Sequence, residues 1–327
     1  MAAPSISTGG TASTTAEQTL QGLRRRADVK GRLFQYSLLG SLLVSLLVLV
    51  ILISQVVIDG WPVLSTRLGD FLTTGLGSQP EISGIAQGLR GTFYLCLIVA
   101  LVAFPLGIAA AIYLEEYAPK NHLTNFIDVN IRNLAGVPSV VYGILGLVIF
   151  VRGIEIGPVT VGIRSITGGS TPLAAGLTLS ALVLPVVIIT TAEALRSVPQ
   201  ALKEGGYGVG ATKWEVIKDH MLPYAAPGIL TGTLLSIARA AGEAAPLILV
   251  GTVTGFITQV PAWWDGTQVR ETYTAMPIII TRWAGRPEEG FKVDGAAAAI
   301  VILIVFVVLL NSVAILLRNR FEKRREG

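Results

Sequence analysis

The chain has 327 residues, of which 52% are hydrophobic and 14% are charged, with a mean hydropathy of +0.65. Since soluble globular domains usually carry about 25% charged residues, this composition excludes an ordinary soluble domain and indicates a membrane protein. The net charge of +4 comes from basic residues that cluster beside apolar segments, so it marks topology rather than nucleic-acid binding. One cysteine (Cys96) and two histidines (His122 and His220) are too few for a disulfide framework or a metal centre.

The N-terminal part of the chain predicts a tail followed by a first membrane span. Residues 1–35 are Ser/Thr-rich and then basic, without an apolar period, and predict a disordered cytoplasmic tail. Residues 36–58 contain no charged residue and are long enough to cross the hydrocarbon, which takes about 20 residues of helix. The polar lead is too long for a cleaved signal peptide. An extracytoplasmic loop is predicted at 59–90.

Five further spans follow, and they complete an all-α membrane protein with six transmembrane helices. They are predicted at residues 91–114, 134–151, 172–191, 225–252 and 295–317. An apolar piece at 276–281 is too short to cross and is interpreted as a partly inserted segment or a packed cap. The core therefore covers 91–317, and a basic tail covers 318–327.

The distribution of Lys and Arg predicts the orientation of the spans. Basic residues precede the first span and follow the last one, and six spans put both termini on one side. The loop at 192–221 lies on that side and has four Lys or Arg residues, whereas the opposing loops at 59–90 and 152–171 have two each. Both termini are therefore predicted to be cytoplasmic.

The cytoplasmic loop between the fourth and fifth spans has the pattern of a helix–turn–helix. Pro199 favours a helix start, and apolar residues around Trp214 predict a second short helix that ends near Pro223. Four glycines are expected to interrupt the first helix: Gly205, Gly206, Gly208 and Gly210. Such a unit is able to dock in a groove of another protein.

The same loop resembles the EAA motif of ABC-importer permeases, in which a Glu, two small residues, a Gly and a Leu-Pro pair recur at fixed separations. Both motif alanines are glycine here, which lowers helix propensity by roughly 1 kcal/mol each, and His220 replaces the motif isoleucine. A chance pattern in a solvated loop is the alternative. The resemblance implies that this coupling loop (199–223) sits in a cleft of a partner ATPase subunit and transmits its closure to the spans. The matching residues are Glu204, Gly205, Gly206, Gly210, Leu222 and Pro223.

The spacing from Gly205 to Gly210 is also similar to a phosphate-binding P-loop. Ala211, however, stands where the lysine that contacts the β- and γ-phosphates would be. We therefore expect no cofactor on this chain, and ATP is expected on a partner subunit.

Two charges lie inside the predicted fifth span. Arg239 is near its middle, where an arginine costs about 2.5–3.5 kcal/mol, and Glu243 follows at i+4 on the same helical face. Either the two residues pair and only hold the bundle together, or Arg239 faces the route of an anion, whose oxygens its planar fork would match. Physical reasoning leaves both interpretations open.

A second resemblance bears on the substrate. The string from Ala238 to Leu247 resembles the A-R-x-x-G-E-[TA]-A-P-L signature of PstA-type permease subunits of phosphate importers, whereas the PstC-type sister subunits tend to G-R-x-x-G-E-T-M. The string from Gly136 to Gly143 is similar to the G-x-P-S-V-V-Y-G opening of the third span in both subunit types. A third match runs from Leu184-Pro185 to Pro199. The resemblance covers about residues 90–315.

The start of the third span adds a candidate of its own. Ser139 follows Pro138 where a helix is expected to begin, and free N–H groups at a helix start can hold an anion. The alternative is a simple Pro-Ser helix start with tight glycine packing. Tyr142 is interpreted as a packing residue. The substrate-path candidates are Arg239, Glu243 and Ser139.

The resemblance implies a type I, MetI-like permease in the bacterial inner membrane that translocates inorganic phosphate. Its implied partners are a PstC-like sister permease, a PstB-like ATPase homodimer and a PstS-like extracytoplasmic binding protein. Alternatives are the sister subunit itself, a molybdate or sulfate permease, or a secondary transporter or channel. A membrane enzyme would need His, Asp or Glu residues clustered near the bilayer surface. The nearest match in the sequence is the set Glu115, Glu116 and Asp128, which are interpreted as solvated loop charges. No catalytic residue is expected.

Overall fold

The structure, a computed structural model, describes residues 11–156, 159–161, 164–252 and 272–326. In these ranges, four π-helical turns extend helices: Tyr113–Tyr117, Leu147–Arg152, Val216–Met221 and Gly290–Gly295. Two short antiparallel strands, β1 (Ile154–Ile156) and β2 (Val159–Val161), pair between the helices. The helices are α1 (Thr11–Thr73), α2 (Ala86–Ile112), α3 (His122–Ala135), α4 (Ser139–Gly146), α5 (Arg164–Thr167), α6 (Pro172–Arg196), α7 (Gln200–Gly208), α8 (Lys213–Glu215), α9 (Leu222–Gly242), α10 (Ala245–Val250), α11 (Met276–Ala284) and α12 (Ala296–Glu326).

The predicted helical membrane architecture is confirmed, with five or six candidate spans. Among the described residues, five helical stretches are long and apolar enough to cross a membrane, and a sixth is obtained when the pair His122–Ala135 and Ser139–Arg152, bent by 102°, counts as one broken span. The five stretches are Lys30–Thr73, Ala86–Tyr117, Pro172–Arg196, Lys213–Gly242 and Gly290–Val313.

Two compact units divide the chain, Met1–Ile58 and Asp59–Gly327. Within the first unit, α1 begins at Thr11, and residues 1–10 lie outside the described part; the disordered tail at 1–35 stays a prediction. Once the apolar span has nucleated a helix, extension through good helix formers such as Leu20, Gln21 and Arg24 adds a hydrogen bond per residue at little further cost.

Within the second unit, α1 continues to Thr73, so the loop predicted at 59–90 is helical in its first half. Val63 and Phe71 are buried in a cluster with Trp283 and Phe291, and this packing holds the extension. Arg67 leaves helical geometry, and its guanidinium donates hydrogen bonds to loop carbonyls. The acceptors are Pro80, Glu81 at 2.5 Å and Ser83 at 3.2 Å.

The third and fifth predicted spans need correction. The third, predicted as one helix at 134–151, is broken, because Pro138, at φ −55° and ψ 137°, separates α4, which begins at Ser139, from α3. The fifth was predicted at 225–252, but α9 ends at Gly242 and Glu243 adopts an extended conformation with ψ 116°. The short helix α10 then ends at Gly251, whose φ of +88° favours glycine.

The short apolar piece predicted at 276–281 is a packed helix. It extends as α11 to Ala284, and its buried residues include Met276, Ile279 and Trp283. Nine residues are too few to cross the hydrocarbon. Residues 253–271 of the preceding loop lie outside the described part.

The main buried cluster lies where α2, α4, α6 and α10 meet. Leu95 and Val99 of α2 pack with Leu179 and Val183 of α6, and Leu247 of α10 joins them. Cys96 is buried, as expected for a packing residue. This cluster fixes the position of α4 and α10. The candidate residue Ser139 lies at the start of α4, and Arg239 and Glu243 lie just before α10.

Candidate functional site

The predicted coupling loop is a helix–turn–helix, but its helices end elsewhere than predicted. The helix α7 runs through Gly205, Gly206 and Gly208, and the turn comes only at Gly210, whose φ is +84°. The next helix starts with a capping box between Thr212 and Glu215. Tertiary packing has therefore overridden the low helix propensity of three glycines.

Pro223 does not end the second helix, contrary to the prediction. The chain from Lys213 passes through the π-turn Val216–Met221 directly into α9. In that turn the Leu222 N–H donates to the Ile217 carbonyl, five residues earlier. A widened turn tolerates a proline that lacks an N–H and would otherwise clash with the carbonyl four residues before it.

The departures from the EAA motif contact each other. A Cβ on Gly206 would lie 2.9 Å from a methyl group of Val216 and 3.3 Å from Cδ2 of His220, so these side chains occupy the place of the motif alanine. A Cβ on Gly205 would meet no atom within 4 Å. The glycine at 206 is therefore matched to its neighbours, and the one at 205 is not constrained by packing.

The coupling loop has a buried and an exposed apolar face. Val216, Ile217 and Met221 are buried in a cluster with the end of α6. Leu222 packs at the edge of that cluster, whereas Glu204 and Pro223 are exposed. Exposed apolar side chains project from the turn: Tyr207, Val209 and Trp214 are 45%, 84% and 55% exposed. A group of exposed apolar side chains with a polar rim is typical of a protein-binding surface.

The interpretation of Glu115 and Glu116 as solvated charges is wrong. Glu115 forms an ion pair with Arg196, and Glu116 forms one with Lys203 at 2.7 Å. The acids lie at the end of α2, where the helix dipole favours cations. The sequence contains a signal for these contacts, namely two adjacent acids at the end of one span and four Lys or Arg residues in the loop at 192–221. Asp128 pairs with Arg132 at 3.0 Å on the exposed surface of α3.

Arg239 and Glu243 lie beside the break between α9 and α10. The Arg239 Nε donates to Glu243 Oε1 at 3.2 Å, so the predicted i,i+4 pair forms. The Arg239 side chain nevertheless stays 42% exposed. Among the described residues, no other hydrogen bond or ion pair engages this guanidinium, which leaves both terminal nitrogens available.

The packing interpretation of Tyr142 is confirmed. Its ring is buried in the main cluster with Ala240, and its hydroxyl donates to the Leu134 carbonyl at 2.9 Å across the α3–α4 corner. Ala240 follows Arg239 in α9, so Tyr142 brings the third-span motif next to the segment that carries this arginine.

Ser139 starts α4, one turn before Tyr142, and is half-buried. Pro138 precedes it, and no side chain caps the helix start. Within the described part of the chain, Ser139 makes no hydrogen bond or ion pair with Arg239 or Glu243. The structure thus joins two of the three substrate-path candidates directly, and a role for Ser139 stays a prediction.

Comparison with known proteins identifies relatives over most of the chain. The family model described as "Binding-protein-dependent transport system inner membrane component" matches residues 103–327. A Mycobacterium leprae protein named "Phosphate transport system permease protein PstA" is 36% identical over 302 residues, which cover 90% of this chain and 91% of the relative. A Bacillus subtilis protein named "Probable ABC transporter permease protein YqgI" is 36% identical over 208 residues, and the chain spans 65% of its length.

A solved structure supports the fold. The crystal structure of a bacterial ABC transporter involved in the import of the acidic polysaccharide alginate contains a chain with a TM-score of 0.61. The match covers 91% of this chain and 99% of that one at 16% identity. At such low identity the likeness shows a shared fold and nothing about the substrate.

Proposed function

Because the chain belongs to the family of binding-protein-dependent transport system inner membrane components, we propose that it is the permease subunit of an ATP-driven importer of inorganic phosphate. The relative of M. leprae, similar over nine-tenths of both chains, carries the name of a phosphate transport permease. The signature from Ala238 to Leu247 is consistent with that substrate.

The observation that carries the proposal is an exposed arginine inside an apolar helix. Arg239 lies in the stretch Lys213–Gly242 and is 42% exposed. An arginine in hydrocarbon costs about 2.5–3.5 kcal/mol, so this exposed guanidinium is expected to face a water-filled path or a partner chain. The helix α9 ends three residues after Arg239, so the guanidinium lies beside a break in the helix.

The pair with Glu243 tunes that arginine for transit. Glu243 holds the Nε and thereby orients the planar group. The two terminal nitrogens have no partner among the described residues and can bind two oxygens of an anion. One arginine whose charge is partly balanced lowers the barrier for an anion without trapping it, and conduction requires such weak binding.

The coupling loop provides the surface for the energy source. Tyr207, Val209 and Trp214, exposed at its turn, would dock in a cleft of a PstB-like ATPase homodimer that binds ATP. A PstC-like sister permease would complete the path, and a PstS-like protein would deliver phosphate from outside. Both termini would then be cytoplasmic. To move the equilibrium between two conformations of the spans from 1:99 to 99:1, ATP must bind the favoured conformation more tightly by about 5.5 kcal/mol.

Substrate competition tests the cargo. We expect vesicles with the complete complex to take up radiolabelled phosphate, and we expect a hundredfold excess of sulfate or molybdate to leave the initial rate unchanged. A complex that lacks this chain is the control. Uptake of sulfate or molybdate in place of phosphate would leave an importer but contradict the proposed substrate.

A further inference from the structure

The end of α2 carries two adjacent acids in an unfavourable place. Glu115 and Glu116 lie in the π-turn Tyr113–Tyr117, which closes the helix. Carboxylates at the C-terminal end of a helix oppose its dipole, so the two acids need nearby cations. These cations come from α6 and from the coupling loop, 81 or more residues later in the sequence.

Glu116 is held from both helices of the coupling loop. Its carboxylate pairs with Lys203 of α7 at 2.7 Å, and its backbone carbonyl accepts a hydrogen bond from Lys213 at the start of α8. The Lys213 ammonium also lies 4.9 Å from the centroid of the Tyr117 ring. One turn of α2 therefore fixes the loop on either side of Gly210.

Glu115 makes a second pair in a more exposed setting. It accepts two hydrogen bonds from Arg196, at 2.9 Å and 2.5 Å, and thereby holds the end of α6, where the chain enters the loop. The Arg196 side chain is 49% exposed, whereas those of Lys203 and Glu116 are 19% and 11% exposed. Solvent screens an exposed pair more than a buried one, so the pair of Glu116 and Lys203 is the better shielded of the two.

We propose that Glu116 is a positioning residue that latches the coupling loop to α2, so that movement of the loop displaces α2 together with α9. This inference rests on the proposed ATP-driven function. The loop is covalently continuous with α9, and α2 packs along both α6 and α9. Lys203 directly precedes Glu204 of the loop motif, so a shift of α7 pulls on Glu116 at once. Without the charge pair, the contact of Lys213 with the end of α2 and the ends of α6 and α9 still link the loop to the bundle, so the coupling is weakened rather than lost.

The test is a double-mutant cycle read out as phosphate imported per ATP hydrolysed by the complete complex. Glu116→Gln and Lys203→Met each remove one charge of the latch. We expect each to lower the ratio by roughly 2- to 30-fold while ATP hydrolysis continues. The double variant should be no worse than either single variant, because both remove the same interaction. Lys203→Arg keeps the charge, so its ratio of phosphate imported to ATP hydrolysed should stay close to that of the wild type.

Asp128→Asn is the matched control, since it also removes an ion-paired carboxylate, but from the surface of α3. A wild-type ratio in Glu116→Gln, or additive losses in the double variant, would overturn the latch while leaving the importer intact. Loss of assembly in Lys203→Arg as well as in Lys203→Met would overturn it too, because the effect would then not follow the charge. Absence of phosphate uptake by the wild-type complex would instead contradict the proposed function.

Discussion

Replacement of Arg239 by glutamine is expected to lower phosphate uptake about 10- to 100-fold while the complex still assembles and hydrolyses ATP. A hydrogen bond to a charged group contributes about 1.5–3 kcal/mol, which corresponds to that range of rates. Glutamine keeps a polar side chain of similar length but loses the charge and the two terminal nitrogens that Glu243 leaves free. Uptake and ATP hydrolysis are measured in the same vesicles. The uptake rate of Arg239→Lys should fall between those of the wild type and Arg239→Gln, since lysine keeps the charge but lacks the planar guanidinium.

Arg132→Gln is the matched control for this substitution. Arg132 also pairs with an acid four residues away in the sequence, and its side chain is 40% exposed, close to the 42% of Arg239. Such a surface pair contributes little, so we expect Arg132→Gln to transport at the wild-type rate. Normal uptake by Arg239→Gln would make Arg239 a structural residue and remove it from the anion path.

The second large effect is expected at Gly143, where α4 meets α10. A Cβ there would lie 2.7 Å from the Cα of Pro246 and 2.9 Å from a methyl group of Leu249. The side chain of Leu249 can turn away, but the backbone of Pro246 cannot, so Gly143→Ala must push the two helices apart. Overpacking of this kind costs about 1–3 kcal/mol. We expect a lower melting temperature of the purified complex and less protein in the membrane.

Gly205→Ala provides the comparison for that substitution. It also places alanine in a helix, but its Cβ meets no atom within 4 Å. Alanine in a helix interior is favoured over glycine by roughly 0.5–1 kcal/mol, so the melting temperature should stay the same or rise. Equal destabilisation by both substitutions would contradict the close approach of α4 and α10.

Much of the fold was predictable because hydrophobic length decides it. The spans around Cys96 and Pro185 are helices as expected, since a long apolar stretch has no other stable state in a bilayer. The coupling loop was found by motif spacing, and the i,i+4 spacing of Arg239 and Glu243 predicted their pair. Local rules were sufficient in these places because the partners are close in sequence.

The errors lie where distant residues decide the local structure. The helix α7 continues through Gly206 because Val216 and His220 fill the space beside it, and glycine propensity contains no such information. The pair of Glu116 and Lys203 joins residues 87 apart in the sequence. The break at Glu243 is a different kind of error, because Gly242 and Pro246 are local signals for a helix end that the length of the apolar run outweighed in the prediction.

The central claim, that this chain conducts phosphate in an ATP-driven importer, is tested most directly by ATP-dependent phosphate accumulation in sealed vesicles. The vesicles contain this chain, the sister permease, the ATPase subunits and the binding protein, and uptake is followed with and without ATP and a proton ionophore. We expect accumulation only with ATP and only when this chain is present, at a rate that the ionophore leaves unchanged. Accumulation without the ATPase subunits, or its collapse on addition of the ionophore, would show a secondary transporter and contradict the claim.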